Sequence, residues 1–107
     1  DFTFVDDIAK GTVEALKLKS YHVINLGNNS PVELNYVIRL IEKYLNRKAE
    51  IRYREFHKAD IKATWADIEK ATQLLNWKPQ IGIEEGIEKT VQWFEENKSL
   101  IDNISIG

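Results

Sequence analysis

The sequence predicts an α/β fold in a single unit, residues 1–107. Short β-prone apolar runs alternate with segments whose apolar residues recur every three or four positions, which is the rhythm of strands and amphipathic helices. Hydrophobic residues make up 43% and charged residues 30% of the chain, the proportions of a globular domain with a core. No internal repeat, low-complexity stretch or Pro/Gly/Ser-rich linker divides it. We therefore expect helices packed on short strands.

The first predicted helix follows the β-prone residues 2–5. Asp6 or Asp7 can cap its N-terminus, because a short carboxylate side chain accepts a hydrogen bond from an unpaired backbone N–H. We expect this helix to end near Leu18. Its apolar side is predicted from helical spacing to comprise Ile8, Thr12, Ala15 and Leu16.

Three extended segments are predicted. Residues 22–26 form a nearly continuous apolar run that stops at the turn 27–29, as a buried strand does. Residues 51–56 alternate between apolar and charged side chains, which is typical of a strand with one face in water. Residues 63–66 predict a shorter extended piece.

The second predicted helix begins at a capping-box pattern. Ser30 and Glu33 can each satisfy an unpaired amide of the other's backbone, and Pro31 suits the first helical position. The apolar stripe that follows is wide enough to pack on a sheet. It consists of Leu34, Val37, Ile38, Ile41 and Leu45.

Two further helices are predicted in the second half. Asp67 can cap a short helix that ends at the turn 76–79. Its inward residues are Ile68, Ala71, Leu74 and Leu75. The last helix can pair Glu85 with Lys89 one turn apart. Its apolar face comprises Ile83, Ile87, Thr90, Val91 and Phe94.

Residues 100–107 are expected to be a loose tail. The tail is more apolar than an idle tail requires, which suggests that it docks on another surface. Its apolar side chains are Leu100, Ile101, Ile104 and Ile106.

Charge and composition exclude several kinds of partner. The net charge is −2 with both signs interleaved, so we expect no nucleic-acid partner. No apolar run approaches the roughly 20 residues that cross a bilayer, so no membrane partner is expected. The first residues lack the layout of a signal peptide, which makes the cytoplasm the expected location. The absence of cysteine excludes disulfides, thiolate metal sites and thiol nucleophiles.

The chain has 107 residues and no methionine. That length allows one modest domain, but not a cofactor domain plus a substrate domain. We therefore expect an excised portion of a longer protein.

No metal site and no catalytic residue is predicted. His22 and His57 are the only imidazoles, and neither has a second ligand at the helical i,i+4 spacing. Tyr44 and Lys48 have the spacing of a phenol–ammonium proton-transfer pair, but they lie at a helix end without a positioned serine, so a chance match is favoured. Gly27 lacks the further glycines of a pyrophosphate loop, so this chain alone is expected to bind no dinucleotide.

The best polar candidate is the loop of His57, Lys58 and Asp60. It combines a donor, a cation and a carboxylate, which can hold a sugar hydroxyl or a phosphate oxygen. From the residues alone, an ordinary solvated loop is the favoured alternative.

Six motifs are more informative in their order than singly. They are Asp-Phe-Thr-Phe-Val-Asp-Asp-Ile at 1–8, Val-Ile-Asn-Leu-Gly-Asn at 23–28, Ser-Pro-Val-Glu-Leu at 30–34, Ala-Asp-Ile-Lys-Ala-Thr-Trp-Ala-Asp at 59–67, Leu-Asn-Trp-Lys-Pro at 75–79 and Glu-Glu-Gly-Ile-Glu-Lys-Thr-Val-Gln-Trp at 84–93. In this order the chain resembles the C-terminal third of NAD-dependent nucleotide-sugar epimerases and dehydratases of the extended short-chain dehydrogenase/reductase family. UDP-glucuronate 4-epimerases are the most similar subgroup.

The resemblance implies the last strand and helix of a Rossmann-like sheet plus the small mixed α/β substrate-binding cap. It places the N-terminal cofactor domain, which holds NAD and the catalytic Tyr-x-x-x-Lys, upstream of this chain. At the matching family positions, His57 contacts the nucleotide phosphates, Asp60 holds a ribose hydroxyl and Thr64 lines the sugar pocket. The implied activity is C4 epimerisation of a UDP-sugar by the intact enzyme, with this chain inactive alone. The resemblance leaves open which sugar is used and whether the parent reaction is epimerisation or dehydration.

The chain departs from the family pattern at several positions. His57 replaces the usual Arg or Gln and binds phosphate strongly only when protonated, so its contact weakens with rising pH. Lys58 and Ala59 replace the common Pro-Gly, which changes the backbone path of the loop. Gly82 stands where the last helix usually has a Ser or Thr cap.

The alternative function is a noncatalytic, self-associating interaction module derived from such an enzyme. The helix at 7–18 and the strand at 22–26 would leave an apolar surface that a second copy can cover. A homo-oligomer is therefore a possible partner state.

Overall fold

A computed structural model describes residues 1–104. The described part contains five α-helices in chain order: α1 Val5–Ala15, α2 Leu34–Leu45, α3 Glu69–Leu75, α4 Ile83–Glu96 and α5 Lys98–Asp102. Helix α1 packs against α3, and α2 packs against α4. Helix α5 replaces the first part of the predicted loose tail, while Ile106 of that tail lies outside the described residues.

The strands of the predicted α/β fold do not form within residues 1–104. The segments 22–26, 51–56 and 63–66 have no backbone hydrogen-bond ladder. A strand is defined by N–H and C=O bonds to a neighbouring strand, and the described residues supply no such neighbour. The last strand of a Rossmann-like sheet is therefore not confirmed, because a β-prone sequence pattern specifies a strand only where a partner is present.

Helix α1 begins earlier than the sequence predicts. Phe4 is its boundary residue, and the Phe4 carbonyl accepts bonds from the amides of Asp7 and Ile8 at 3.1 and 3.3 Å. The predicted capping by Asp6 or Asp7 is wrong, since both residues already lie inside the first turn. The helix ends at Ala15, three residues before Leu18.

Asp7 connects α1 to a distant turn instead. Its carboxylate Oδ2 accepts hydrogen bonds from the backbone amides of Gln80 and Ile81, both at 2.9 Å. The indole Nε1 of Trp77 donates to the Asp7 carbonyl oxygen at 2.9 Å. The Asp7 side chain is fully buried. This one residue therefore fixes the turn between α3 and α4 against the first turn of α1.

The main core lies between α1 and α3. Ala71, Leu75 and Trp77 are buried at its centre. The partly buried side chains packed around them are Ala15, Leu18, Ile24, Leu26 and Ile68. The predicted inward face of α3 is correct at Ala71 and Leu75, but Leu74 is exposed. The segment 22–26 thus contributes to the core as an unpaired extended stretch.

Only the C-terminal boundary of α3 agrees with its sequence signal. Asp67 is not the cap that the sequence predicts, because Ile68 is the boundary residue and no side chain caps the helix. The Asp67 carboxylate still accepts a bond from the amide of Glu69, the first helical residue, at 2.9 Å. Asn76 ends the helix in the left-handed conformation, with φ of 50°. Asparagine tolerates this conformation better than most residues because its short side chain can bond locally.

The capping box predicted for α2 does not form. Helix α2 begins at Leu34, Glu33 is its boundary residue, and no side chain caps it. Val37 and Leu40 are the buried residues of the helix, whereas Leu34 and Ile41 of the predicted stripe are exposed. The side chains of residues 30–33 therefore do not cap α2.

Helix α4 packs on α2 and starts directly after Gly82. The predicted pair of Lys89 and Glu85 is confirmed, with an N–O distance of 3.0 Å. Tyr36 of α2 donates a hydrogen bond from its hydroxyl to the Glu84 carboxylate at the start of α4. The two helices are thus linked by a polar contact as well as by apolar packing.

Replacement of Gly82 by serine is expected to raise the free energy of unfolding by a few tenths of a kcal/mol. Gly82 is the boundary residue of α4 without a side-chain cap, and no atom lies within 4 Å of the position that a Cβ would take. A serine hydroxyl there can accept a bond from an unpaired first-turn amide. Urea denaturation monitored by circular dichroism measures the change. Gly82→Ala is the matched control, and a gain in the alanine variant as large as in the serine variant would contradict capping.

The described part has a thin core and a large apolar surface. Its Cα radius of gyration is 16.8 Å, whereas a compact domain of about 100 residues has about 13 Å. Leu16 is 82% exposed, Tyr21 91% and Val23 62%. No helix within residues 1–104 is long and apolar enough to cross a bilayer.

Candidate functional site

A cleft lies beside the start of α2. It has a volume of about 820 Å³, within the roughly 300–1,000 Å³ typical of small-molecule pockets. We call it the α2 cleft. Its lining comprises Asp1, Phe2, Pro31, Val32, Glu33, Leu34, Asn35, Phe56, Ile61, Lys62, Ala63 and Thr64. Residues 31–35, at the start of α2, therefore form one part of the cleft wall. Residues 56 and 61–64 form another part.

The Asp1 carboxylate holds two parts of the chain beside this cleft. One oxygen accepts a bond from the Asn28 amide at 3.1 Å, and the other accepts a bond from the Ala66 amide at 2.9 Å. These amides are separated from Asp1 by 27 and 65 positions in the sequence. The carboxylate therefore ties the loop after residues 22–26 to the segment that precedes α3.

Gly27 permits the close approach of these two segments. It is buried, and a Cβ placed on it would lie 2.3 Å from the Cβ of Ala66 and 3.2 Å from an oxygen of Asp1. Carbon atoms do not approach that closely, so a side chain at position 27 would separate the segments. Next to it, Asn29 adopts the left-handed conformation with φ of 49°. Its side-chain oxygen accepts a bond from the Trp65 indole at 2.7 Å.

Thr64 is the one predicted site residue that lines the α2 cleft. The main-chain nitrogen of Asp1 donates to the Thr64 hydroxyl at 2.7 Å and to the Thr64 carbonyl at 3.1 Å. Its position is thus fixed by the same residue that ties the loop at Gly27 to Ala66.

His57 and Asp60 lie on an exposed turn at the edge of the α2 cleft. The Asp60 amide donates to the His57 carbonyl at 2.9 Å, and the Ala59 amide donates to His57 Nδ1 at 3.2 Å. The two residues that flank this turn, Phe56 and Ile61, both line the cleft. The turn therefore connects two lining residues, and His57 and Asp60 themselves are not part of the cleft lining.

Sequence reasoning missed the apolar lining of the cleft. Phe2, Leu34, Phe56 and Ile61 line it, and all four are exposed. The sequence patterns place Phe2 and Phe56 in extended segments and Leu34 in a helical stripe that faces the core. Large apolar residues beside turn and capping signals were the available indication of a cleft. They did not show which distant segments would meet there.

The spacing of Tyr44 and Lys48 produces no proton-transfer geometry. The ammonium near the Tyr44 ring is that of Lys43, at 5.1 Å from the ring centroid. Lys48 lies beyond the end of α2 and pairs with Glu42 at 3.3 Å. The backbone N–H of Ala49, followed by the Lys48 ammonium, lowers the pKa of Glu42 from its ordinary value by stabilising the carboxylate.

The remaining pKa shifts belong to one pair between α2 and α4 and one pair within α4. The hydrogen bond to the Glu84 carboxylate raises the pKa of Tyr36, because ionisation would place a phenolate against a carboxylate. The hydrogen bond to Glu85 raises the pKa of Lys89 by stabilising the ammonium. None of these groups lines the α2 cleft, so the shifts describe helix packing.

Neither histidine is part of a metal cluster in the described residues. His22 Nε2 lies 2.8 Å from the Ser20 hydroxyl, and His57 occupies the exposed turn described above. Within residues 1–104, no three histidine or carboxylate side chains are placed to hold a metal ion.

Parts of solved epimerase structures superpose on this arrangement. An epimerase from the thermophilic methanogen Methanothermobacter thermautotrophicus superposes with a TM-score of 0.87 at 32% identity, over 95% of this chain and 31% of that chain. A UDP-glucuronic acid 4-epimerase from Bacillus cereus, in complex with UDP-glucuronic acid and NAD, gives 0.80 at 32% identity, over 90% of this chain and 32% of that chain.

The amino-acid sequence identifies the family. The family model described as GDP-mannose 4,6 dehydratase matches residues 1–90, and the chain belongs to this family. A UDP-glucuronate 4-epimerase of Thermodesulfobacterium geofontis (strain OPF15) is 50% identical over 107 residues, which cover 99% of this chain and 33% of that protein. UDP-glucuronate 4-epimerase 5 of Arabidopsis thaliana is 34% identical over 88% of this chain and 25% of its own length. The chain thus spans about a third or less of these relatives.

The space around Gly27 is closed by other parts of the chain. Gly27 follows the extended residues 22–26, and Ala66 and the Asp1 carboxylate occupy the space beside it. A pyrophosphate requires an open glycine-rich loop at the start of a helix. Here the residues 28–33 separate Gly27 from α2.

Proposed function

We propose that this chain is the nucleotide-sugar-binding, C-terminal portion of an NAD-dependent UDP-sugar 4-epimerase. The α2 cleft, lined by Thr64 and flanked by the turn with His57 and Asp60, is the observation that carries the proposal. The 50% identity to a UDP-glucuronate 4-epimerase over the whole described part supports it. The proposed parent reaction is inversion at C4 of the sugar.

The proposal assigns the three residues to different parts of the ligand. Asp60 accepts a hydrogen bond from a ribose hydroxyl, a suitable donor for an exposed carboxylate. His57 contacts the diphosphate through an imidazole N–H. Thr64, at the cleft wall, contacts the sugar, and its small side chain leaves room for a large or charged sugar.

The catalytic groups and the cofactor belong to another portion of the intact enzyme in this proposal. No residue of this chain is assigned a catalytic role, and NAD is bound by the cofactor domain and not by this chain alone. The chain by itself is therefore expected to be inactive. The cytoplasm remains the proposed location.

Exposed apolar residues suggest where that cofactor domain would pack. Leu16, Tyr21 and Val23 belong to the end of α1 and the segment after it, and the backbone of residues 22–26 has no strand partner among the described residues. In the intact enzyme, these residues would meet the domain that holds NAD. When that domain is not present, a second copy can cover the same surface, so a homo-oligomer is proposed only for the separate chain.

Binding of UDP-glucuronic acid to the purified chain tests the proposal. In a titration followed by NMR amide shifts, we expect saturable binding that Asp60→Ala weakens about five- to tenfold, because a charge-assisted hydrogen bond is lost. Asp102→Ala, at an exposed acid of α5 outside the cleft, is the matched control and should bind like the parent. Absence of binding would contradict the proposed function, whereas equal affinity of Asp60→Ala and the parent would contradict only the role of Asp60.

A further inference from the structure

Lys62 provides the cationic side chain of the α2 cleft. Among the described residues that line the cleft, the charged side chains are those of Asp1, Glu33 and Lys62. The Asp1 carboxylate is occupied by the amides of Asn28 and Ala66. Most of the remaining lining is apolar, so an anionic group of a ligand has one cationic side chain to approach.

The position of Lys62 relates it to the sugar end of the cleft. Residues 62 and 64 are two positions apart in a segment without helical structure, and both line the cleft. The neighbouring residues Ile61 and Ala63 line it too, so residues 61–64 form one continuous part of the cleft wall. The Lys62 ammonium lies 6.0 Å from the ring centroid of Phe56, another lining residue, and this distance allows a cation–π contact. The ammonium therefore lies beside an aromatic ring of the cleft wall.

We propose that Lys62 determines specificity by binding the carboxylate of a uronic-acid sugar in the α2 cleft. This inference rests on the proposed function, because it places the sugar next to Thr64. A lysine ammonium is a compact charge that pairs with a carboxylate, and it offers little to the neutral hydroxymethyl group of the corresponding hexose. Lys62 is a binding residue and takes no part in bond changes.

A comparison of UDP-glucuronic acid with UDP-glucose tests the inference. Lys62→Met keeps the apolar stem over Phe56 and removes the charge. We expect this variant to bind UDP-glucuronic acid about three- to tenfold more weakly, and UDP-glucose with unchanged affinity, when both are titrated into the purified chain. Lys62→Arg should keep the preference for the charged sugar. Lys10→Met, at an exposed position of α1 outside the cleft, is the control for loss of one positive charge.

The outcomes separate this inference from the proposed function. If Lys62→Met weakens both ligands equally, the lysine acts on the diphosphate and the inference is wrong while the proposed function stands. Unchanged affinity of Lys62→Met for both ligands also overturns the inference. If neither ligand binds the parent chain, the proposed function fails and the inference fails with it. Melting curves of each variant confirm that the comparison is made between folded proteins.

Discussion

Replacement of Asp7 by alanine is expected to lower the free energy of unfolding by about 2–4 kcal/mol. The fully buried carboxylate accepts bonds from the amides of Gln80 and Ile81, and alanine would leave both donors without a partner. Both bonds are partly buried, and a buried donor that loses its partner costs about 1–3 kcal/mol, so the expected loss for each amide lies toward the lower part of that range. The turn that carries Trp77 would also lose part of its attachment to α1, so the main core would loosen.

Urea denaturation of Asp7→Ala and the parent measures this loss. Asp6→Ala is the matched control, since Asp6 is an exposed acid in the same helical turn. Its replacement should change stability by no more than about 0.5 kcal/mol. Asp7→Asn keeps one acceptor oxygen, so its free energy of unfolding should lie between those of Asp7→Ala and the parent. If Asp6→Ala costs as much as Asp7→Ala, first-turn charge rather than the buried bonds to the amides determines the effect.

Replacement of Gly27 by alanine is expected to cost about 1–3 kcal/mol and to weaken binding in the α2 cleft. The new Cβ would overlap the Cβ of Ala66, which is part of a fixed backbone segment and cannot rotate away. The loop must then move from Ala66, and the Asp1 carboxylate can no longer reach both amides. Since Asp1 also positions Thr64, the cleft wall shifts with it.

A compensating substitution makes this prediction specific. Ala66→Gly removes the methyl group that the alanine at position 27 would meet. The free energy of unfolding of the double variant should therefore be higher than the two single effects, added together, predict. All variants are compared by chemical denaturation under identical conditions. Strict additivity of the two substitutions would show that Gly27 is required for a reason other than its contact with Ala66.

The helices could be predicted from the sequence because their signals are local. Apolar spacing identified α1 to α4, and it placed Val37, Ala71 and Val91 in the interior, as the structure does. Asp67 and Asn76 mark the ends of α3 because their side chains act on backbone groups within a few residues.

The same signals failed where a distant segment decides the outcome. Asp7 resembles a helix cap in the sequence, but α1 starts two residues earlier and the carboxylate bonds to amides more than 70 positions away. The capping box predicted at Ser30 does not form, because α2 begins only at Leu34. Residues 31–33 line the cleft instead. A strand at 22–26 requires a partner that no local pattern reveals.

The candidate site depended on the family resemblance more than on residue patterns. His57 and Asp60 form an attractive polar loop, but from the residues alone an ordinary solvated loop is the favoured interpretation. The cleft itself brings together residues 1–2, 31–35 and 56–64, which are far apart in the sequence. Their proximity follows from the bonds of Asp1 and the absence of a side chain at Gly27, and neither feature has a periodic pattern.

The central claim is that the α2 cleft, and no other surface, receives a nucleotide sugar. The most direct measurement is the map of backbone amide shifts when ¹⁵N-labelled chain is saturated with UDP-glucuronic acid. We expect the largest shifts in residues 32–35 and 56–64, with small changes around Trp77 and in α5. Shifts centred on another surface, such as the basic end of α2 near Lys43 and Arg47, would contradict the claim.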